Sequence, residues 1–216
     1  MVKQRNEEFD IDVEPRYRRA AQALTESAWD TNLLDAAYSF VDSPFGKLLV
    51  AVSHRGVVRV EYPNGSAEEQ VEDLAVDMSP RIIESPRITE SLRRELDEYF
   101  DGKRQKFTVG VDLRLVRGFS RRVLERTAGI PFGAIATYRE VATRAGSPRA
   151  SRAAGNALAG NPIPIVVPCH RVVHSGGGLG GYTGGLDRKI TLLRLEGVEI
   201  PSPKPRRSAV QTEIRR

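Results

Sequence analysis

The stretch NPIPIVVPCHRVV, residues 161–173, contains Cys169, the single cysteine of the 216-residue chain, with His170 and Arg171 directly after it. A lone cysteine is more often an inert buried residue than a nucleophile. Here, however, three prolines restrict the backbone and remove hydrogen-bond donors from a short segment, which a plain core strand would not favour. Pro168 cannot donate to a β ladder, so a central strand cannot continue through it. We therefore expect Cys169 to lie at a fixed bend that faces a cavity, as a nucleophile.

A nucleophilic thiol needs a base, because the pKa of a free cysteine is about 8.5 and little thiolate forms at neutral pH. His170 is the adjacent candidate, but neighbouring side chains on an extended chain point to opposite sides. We expect His170 to act through a water molecule or a bent backbone, with an acidic side chain orienting its second nitrogen. Glu196, near the end of the last predicted helix, is the best-placed acid.

A glycine-dense loop, SGGGLGGYTGG, follows the cysteine at residues 175–185. One interpretation is a flexible connector, because few of its side chains can pack. The alternative is a lid of backbone amides that lines a flat aromatic ligand and donates hydrogen bonds to a developing anion. Tyr182 and Thr183 would be the side chains that this lid contributes.

The segment from Arg149 to Gly160 is a predicted helix with an unusually thin surface. Its small residues are Ala150, Ser151, Ala153, Ala154, Gly155, Ala157 and Ala159. A helix of this kind can pack closely against another helix, or it can enter the narrow minor groove of DNA. In the second case Arg149 and Arg152 would contact phosphates or enter the base stack, and the basic residues nearby favour that interpretation.

The elements that must position these residues predict an α+β fold. Three β-like runs, AAYSFV, KLLVAV and GVVRVEY, are separated by turn signals and predict a small antiparallel sheet. Two helices, SAEEQVEDLAVDM and SPRITESLRRELDEYFDG, and one further strand, KFTVGVDL, complete this part. The second helix is expected to begin at its Ser-Pro cap. It should bury an apolar stripe of Ile88, Leu92, Leu96 and Tyr99.

The second part of the chain is predicted to be mainly helical and to contain the active-site cysteine. Its helices are GFSRRVLERTAGI, TYREVATRAG, SPRASRAAGNALAG and LDRKITLLRLEG. The second and third of these, separated by Gly146, indicate a helix-turn-helix. We predict an N-terminal extension at 1–36 with one amphipathic helix, an α+β domain at 37–113 and a DNA-binding domain at 114–200. A basic, disordered tail is predicted at 201–216.

Charge is distributed unevenly along the chain, whose net charge is +5. Residues 1–101 hold 12 Lys/Arg against 21 Asp/Glu, whereas residues 102–216 hold 21 against 7. This asymmetry indicates either a polyanionic partner for the second half or a solvated basic face. No apolar run approaches a membrane span, and the first residues do not resemble a signal or transit peptide. One cysteine and three histidines supply a zinc site poorly, and a reducing, cytoplasmic setting is expected.

The residues PCHRV, preceded by RAAGNALAGN and NPIPIVV and followed by GGLGGYTGGL, resemble the 6-O-alkylguanine-DNA alkyltransferases, or methylated-DNA–protein-cysteine methyltransferases. The resemblance is specific over residues 131–197 and weaker over about 37–116. It implies that Cys169 accepts the alkyl group and that His170, through a water molecule, and Glu196 form a relay that keeps the thiol anionic. It also implies that Asn161 braces the turn between the DNA-binding helix and the active-site segment.

The same resemblance implies how damaged DNA is held. Arg152 would fill the gap left by the extruded base, and Tyr138 would donate to a guanine ring nitrogen. Tyr182 and Thr183 would line the guanine pocket, with Thr183 contributing to the guanine oxygen. The backbone carbonyls of Cys169 and Val172 would accept from the exocyclic amine.

The implied reaction is a single-turnover repair by direct reversal, because the thioether product is not readily hydrolysed. It requires no cofactor and no metal; some family members carry zinc ligands, but this chain has no second cysteine to supply one. The implied partner is double-stranded DNA containing 6-O-alkylguanine, contacted in the minor groove by a monomer that can assemble cooperatively. The expected location is the cytoplasm, or the nucleoid in a prokaryote.

Two other functions compete with this interpretation. A DNA lesion sensor or helix-turn-helix regulator would bind DNA without chemistry and would not need its cysteine. A Cys/His hydrolase would turn over repeatedly on a small ester or amide, although a helix-turn-helix would then be superfluous.

Overall fold

The computed structural model describes residues 15–199, and this part of the chain divides into two compact units. The first comprises residues 15–99 together with Phe107–Val116. The second comprises Phe100–Lys106 together with residues 117–199. The predicted tail at 201–216 lies outside the described residues. The predicted α+β fold, with a sheet in the N-terminal part and helices in the C-terminal part, is confirmed.

The first unit is built on a four-stranded sheet of order β3-β2-β1-β4. Its strands are β1 (Ala36–Val41), β2 (Leu48–Ser53), β3 (Gly56–Glu61) and β4 (Ile82–Glu84). The first three form the predicted antiparallel meander. The unpredicted β4 pairs in parallel with β1, so the sheet is mixed. Three residues that pair in parallel with a distant strand give too short a pattern to recognise in the sequence.

The strand predicted at KFTVGVDL is wrong. The only pairing there within the described residues is an isolated bridge between Val57 and Val111. It is held by hydrogen bonds from Val57 N to Gly110 O at 2.8 Å and from Asp112 N to Val57 O at 2.7 Å. In place of a β ladder, Thr108 N and Val109 N donate hydrogen bonds to Glu95, and Ser53 donates one to Asp112. The alternation of apolar residues was therefore a misleading signal in this segment.

Three helices pack in the first unit: α1 (Pro15–Asp30), α2 (Ala67–Asp77) and α3 (Glu90–Phe100). The predicted N-terminal helix is α1, and Trp29 stacks on His54 with ring centroids 3.9 Å apart. The prediction that α3 begins at Ser85–Pro86 is wrong, because residues 86–89 form a turn and the helix begins at Glu90. Three residues of its predicted apolar stripe, Leu92, Leu96 and Tyr99, are nevertheless buried.

The second unit contains the predicted helices: α4 (Gly118–Ala128), α5 (Tyr138–Arg144), α6 (Ser151–Ala159) and α7 (Leu186–Leu195). A capping box formed by Thr137 and Glu140 begins α5. Gly146, with φ of 84°, allows the turn into α6, which completes the helix-turn-helix. Two short parallel strands, β5 (Ala136–Thr137) and β6 (Val172–Val173), join the start of α5 to the cysteine segment. Within residues 15–199, no helix has the length and apolar character needed to cross a membrane.

Candidate active site

Cys169 begins a 3-10 turn, Cys169–Arg171, between the proline-rich segment and β6. The branched run before it forms turns rather than a strand, with Val167 N donating to Ile163 O at 2.9 Å. Ile165 has φ of 73°, a strained conformation for a β-branched residue that the surrounding packing must enforce. The expected bend at Cys169 is therefore present, and this residue is 5% exposed.

The buried side chain of Asn161 connects the end of α6 to the thiol. Its Nδ2 donates to Val167 O at 2.9 Å and to Cys169 Sγ at 3.1 Å, while its Oδ1 accepts from Ile163 N at 3.0 Å. The predicted bracing contact is thus accompanied by a direct hydrogen bond to sulfur, which the sequence did not indicate. A donor at this position stabilises negative charge that develops on Sγ.

Behind the thiol lies a buried cluster of three ionisable side chains, His170, Arg171 and Glu196. Glu196 follows α7 as its C-terminal cap, and its Oε1 accepts from His170 Nε2 at 2.8 Å. Arg171 donates through Nε to Oε2 and through Nη2 to Oε1, both at 2.8 Å. The structure therefore brings together the predicted pair His170 and Glu196, and it adds Arg171, to which the sequence analysis assigned no role.

Burial sets the protonation states of these groups. It raises the pKa of the Cys169 thiol to about 11, against the smaller opposing effects of Asn161 and Lys189. Burial, together with the charges of Arg171 and Lys189, also lowers the pKa of His170, and the opposing effect of Glu196 does not offset them. Burial alone would raise the pKa of Glu196, but hydrogen bonds from His170 and Arg171 outweigh it and bring the value to about 2. At neutral pH these shifts favour a neutral thiol beside a neutral imidazole and a carboxylate.

Lys189 on α7 is a further residue of the site that the sequence analysis missed. It is fully buried, and its Nζ donates to Val172 O at 2.6 Å and to Leu179 O. Burial lowers the pKa of its ammonium group to about 8, although the nearby Cys169 opposes this. Its spacing from the buried Leu192 and Leu193 offered a signal, because it places a lysine within the apolar stripe of the helix.

A cavity of about 700 Å³ opens in front of Cys169. Of the residues that the sequence predicted, Tyr138, Arg152, Cys169, Tyr182 and Thr183 line it. His170, Glu196 and Val172 are buried, and Val172 O already accepts a hydrogen bond from Lys189. His174 also lines the cavity and lies 5.0 Å from the ring of Tyr138, a contact that the sequence did not indicate.

The glycine-dense loop is fastened to the helices around the cavity. The hydroxyl of Tyr138 donates to Gly181 O at 3.4 Å, and that of Thr183 donates to Ala159 O at 2.5 Å. Gly180 has φ of 72°, and a Cβ built there would lie 2.8 Å from Cε2 of Tyr138. These contacts favour a fitted wall of the cavity over a flexible connector.

The structure shows the packing interpretation of the thin helix on one face of α6 and leaves the opposite face exposed. Ala154, Ala157 and Leu158 are buried where α6 packs against α4 and α5. Ala153 and Arg152 are exposed, as is Arg149 just before the helix. The small residues thus permit close helix packing on one side and leave a low, basic surface on the other. Within residues 15–199, no group of three or more His, Cys, Asp or Glu side chains is placed to hold a metal ion.

Comparison with known proteins gives consistent matches over both units. Residues 36–113 match the family model "6-O-methylguanine DNA methyltransferase, ribonuclease-like domain", and residues 118–198 match that of its DNA binding domain. A methylated-DNA–protein-cysteine methyltransferase of Methanosarcina barkeri is 36% identical over 74% of this chain and 96% of its own length. A methylated-DNA–protein-cysteine methyltransferase of Mycolicibacterium paratuberculosis is 39% identical over 76% of this chain and 94% of its own length. The crystal structure of Mycobacterium tuberculosis OGT in complex with DNA has a TM-score of 0.64 and 34% identity, over 74% of this chain and 92% of that one.

Proposed function

The chain belongs to the 6-O-methylguanine DNA methyltransferase family, and on that basis we propose that Cys169 is the residue that accepts the alkyl group. The protein binds DNA and repairs alkylated guanine by direct reversal, as a methylated-DNA–protein-cysteine methyltransferase. The observation that carries the proposal is the position of Sγ, which faces the cavity while Asn161 Nδ2 lies 3.1 Å behind it.

The proposed step is an in-line displacement at the alkyl carbon. The S–H bond breaks, a C–S bond forms, and the bond between the alkyl carbon and the guanine oxygen breaks with its electron pair left on guanine. Guanine then takes up one proton, so that the products are a thioether and an unmodified base. Because the target oxygen is stacked inside the duplex, the nucleotide must first be flipped into the cavity.

The cavity wall supports recognition of a flat purine. Its volume of about 700 Å³ lies in the range of small-molecule sites, and the rings of Tyr138 and Tyr182 border it. Burial raises the pKa of Tyr138, with a smaller contribution from Cys169, so its hydroxyl stays protonated and can donate to the departing guanine. Thr183 would have to release Ala159 O to reach the guanine oxygen. The carbonyl of Cys169 and the second lone pair of the Val172 carbonyl would accept from the exocyclic amine.

The exposed face of α6 supports a docking surface for the minor groove. Arg152 lies at the cavity wall, where its side chain could fill the space left by the flipped base. Arg149 would contact a phosphate, and the small Ala153 would let the helix approach the groove floor. We propose that a monomer binds in this way and that each molecule reacts once, because a thioether has no route to hydrolysis in this site.

The deciding experiment mixes the protein with a duplex that contains one 6-O-methylguanine and follows the intact mass, then maps the peptides. We expect one added methyl group on Cys169, restored guanine in equal amount and no second turnover. Cys169→Ser, which keeps a small polar side chain, should bind the same duplex without reacting. An unmodified Cys169 in wild-type protein bound to the lesion would overturn the proposal and favour a lesion sensor.

A further inference from the structure

Arg171 is a buried arginine that donates three hydrogen bonds, two to Glu196 and one to Ile130. Its side chain is 7% exposed, its Nε and Nη2 donate to the two oxygens of Glu196, and its Nη1 donates to Ile130 O at 2.5 Å. This fork-to-fork arrangement fixes the plane of the carboxylate as well as its charge. A lysine, with a single ammonium group, could not reproduce it.

Four hydrogen-bond donors occupy most of the acceptor positions on the carboxylate of Glu196. Oε1 accepts from His170 Nε2 and Arg171 Nη2, and Oε2 accepts from Arg171 Nε and, at 3.3 Å, from Gly133 N. A carboxylate with this many donors, one of them a permanent cation, is held ionised. It therefore cannot readily take a proton from the imidazole.

This arrangement selects one tautomer of His170. Because Oε1 of an ionised Glu196 can only accept, Nε2 of His170 carries the hydrogen. The remaining nitrogen, Nδ1, is buried and has no hydrogen-bond partner within the described residues. Nδ1 is then the nitrogen with a free lone pair, one residue away from the thiol.

Resting on the proposed function, we propose that Arg171 is a positioning residue: it holds Glu196 as a carboxylate engaged on both oxygens, so that the proton from Cys169 stops on His170 Nδ1. Glu196 orients the imidazole and does not receive a proton. In the step itself the S–H bond breaks and an N–H bond forms at Nδ1, directly or through a water molecule. The imidazolium then gives up that proton, directly or through solvent, to the departing guanine, so that the products are a thioether, a neutral imidazole and an unmodified base.

Arg171 also disfavours the charged form of His170. The charged groups that act on His170 include Glu196, Arg171 and Lys189, and the thiol of Cys169 belongs to the preceding residue. Two of these are cations, which disfavour a third positive charge, whereas the carboxylate and the forming thiolate favour it. Without the guanidinium the balance moves toward the charged form of His170, which cannot accept the thiol proton.

The first test is the tautomer of His170 in the unmodified wild-type protein, read from the ring ¹⁵N chemical shifts in histidine-labelled samples. We expect a neutral ring with hydrogen on Nε2 between about pH 6.5 and 8. Hydrogen on Nδ1, or a charged ring throughout that range, would overturn the proposal. This measurement needs neither a substrate nor a variant, so it decides the arrangement even if a substitution unfolds the protein.

The second test compares the single-turnover rate against pH for Arg171→Met and Arg171→Lys. Loss of the guanidinium should move the acid limb of the profile upward by about one pH unit, which is about a tenfold lower rate on that limb. Arg171→Lys keeps the cation and should leave the limb near its wild-type position while lowering the plateau. Arg122→Met removes another arginine that donates to a backbone carbonyl, Ala145 O, away from the cavity, and controls for lost stability.

An acid limb that stays in place in Arg171→Met, or that moves equally in Arg171→Lys, would overturn the assigned role. Failure of the proposed function gives a different result, because wild-type protein in the same assay would then transfer no methyl group at any pH.

Discussion

Each unit of this protein buries a glutamate, and the two glutamates have different surroundings. In the first unit, Glu95 is 2% exposed and accepts from Thr108 N at 2.8 Å, from the Thr108 hydroxyl and from Val109 N at 3.4 Å. In the second unit, Glu196 is 4% exposed and accepts from His170, Arg171 and Gly133 N. Both carboxylates satisfy the rule that buried charge must be hydrogen-bonded.

The two networks differ in whether a hydrogen-bond partner of the glutamate can gain or lose a proton. The amide and hydroxyl groups of Thr108 and Val109 that donate to Glu95 do not titrate, and these contacts tie α3 to the segment after it. One partner of Glu196 is an imidazole whose other nitrogen is buried and unpaired among the described residues, and the preceding residue carries a thiol that lines a cavity. A buried carboxylate alone thus indicates stability, whereas one that orients an unpaired titratable group beside a cavity indicates chemistry.

Replacing each glutamate by glutamine should give the largest difference between the two sites. Glu196→Gln should lower the single-turnover rate of methyl transfer by about 10²- to 10⁴-fold, because the relay loses the charge that orients and stabilises His170. Glu95→Gln should leave that rate unchanged and lower the free energy of unfolding by about 1–3 kcal/mol. Rates measured by quenched-flow mass spectrometry and urea denaturation separate the two effects. Equal rate losses would remove the distinction.

A second pair of substitutions sharpens the comparison at single hydrogen bonds. Asn161→Ala removes the donor to Sγ and should slow transfer by about 10- to 100-fold, since a hydrogen bond to a developing charge contributes about 1.5–3 kcal/mol. In the first unit, Ser53→Ala removes the 2.6 Å hydrogen bond to buried Asp112 and should affect only stability. The same rate and denaturation measurements apply. A normal rate in Asn161→Ala at unchanged stability would contradict the assigned contact.

Two glycines with φ of 72° test whether the loop is a fitted wall. Gly180→Ala strains the backbone and pushes a Cβ into Tyr138, so transfer should fall by about tenfold, equivalent to about 1.4 kcal/mol. Gly102→Ala has the same φ but open space around its Cβ. It should cost about 1–2 kcal/mol of stability at unchanged rate. If the two variants react equally fast, the loop does not shape the cavity.

The smallest expected effect is the response of the wild-type rate to pH. A thiol with a pKa near 11 that simply ionised into solvent would react about tenfold faster per pH unit through neutrality. Transfer to a neutral His170 should instead vary less than about twofold between pH 7 and 8. The rate of transfer should fall only at pH values below the usual pKa range of histidine, because burial lowers the pKa of His170. A tenfold rise per unit in a stopped-flow profile would contradict the relay, and Glu95→Gln should give the wild-type profile.

The local patterns of the sequence predicted most of the elements and the centre of the site. The β1–β3 meander, the helix-turn-helix and the bend at Cys169 follow from period, glycine and proline, which act over a few residues. The pairing of His170 with Glu196 could also be predicted, because an imidazole that acts as a base needs an acidic side chain to orient it. The last helix ends with such a residue. The strand predicted at 106–113 was wrong because alternation does not show whether a partner edge is available.

Contacts between distant parts of the chain were decided by the tertiary structure alone. The sequence placed Arg171 beside the cysteine, but only the fold turns its guanidinium onto Glu196, 25 residues later. Likewise, Lys189 is an ordinary helical lysine until packing buries its ammonium group against Val172 O. Protonation follows from the same cause: residue types supply groups with ordinary pKa values, and burial together with long-range hydrogen bonds decides which atom holds the proton.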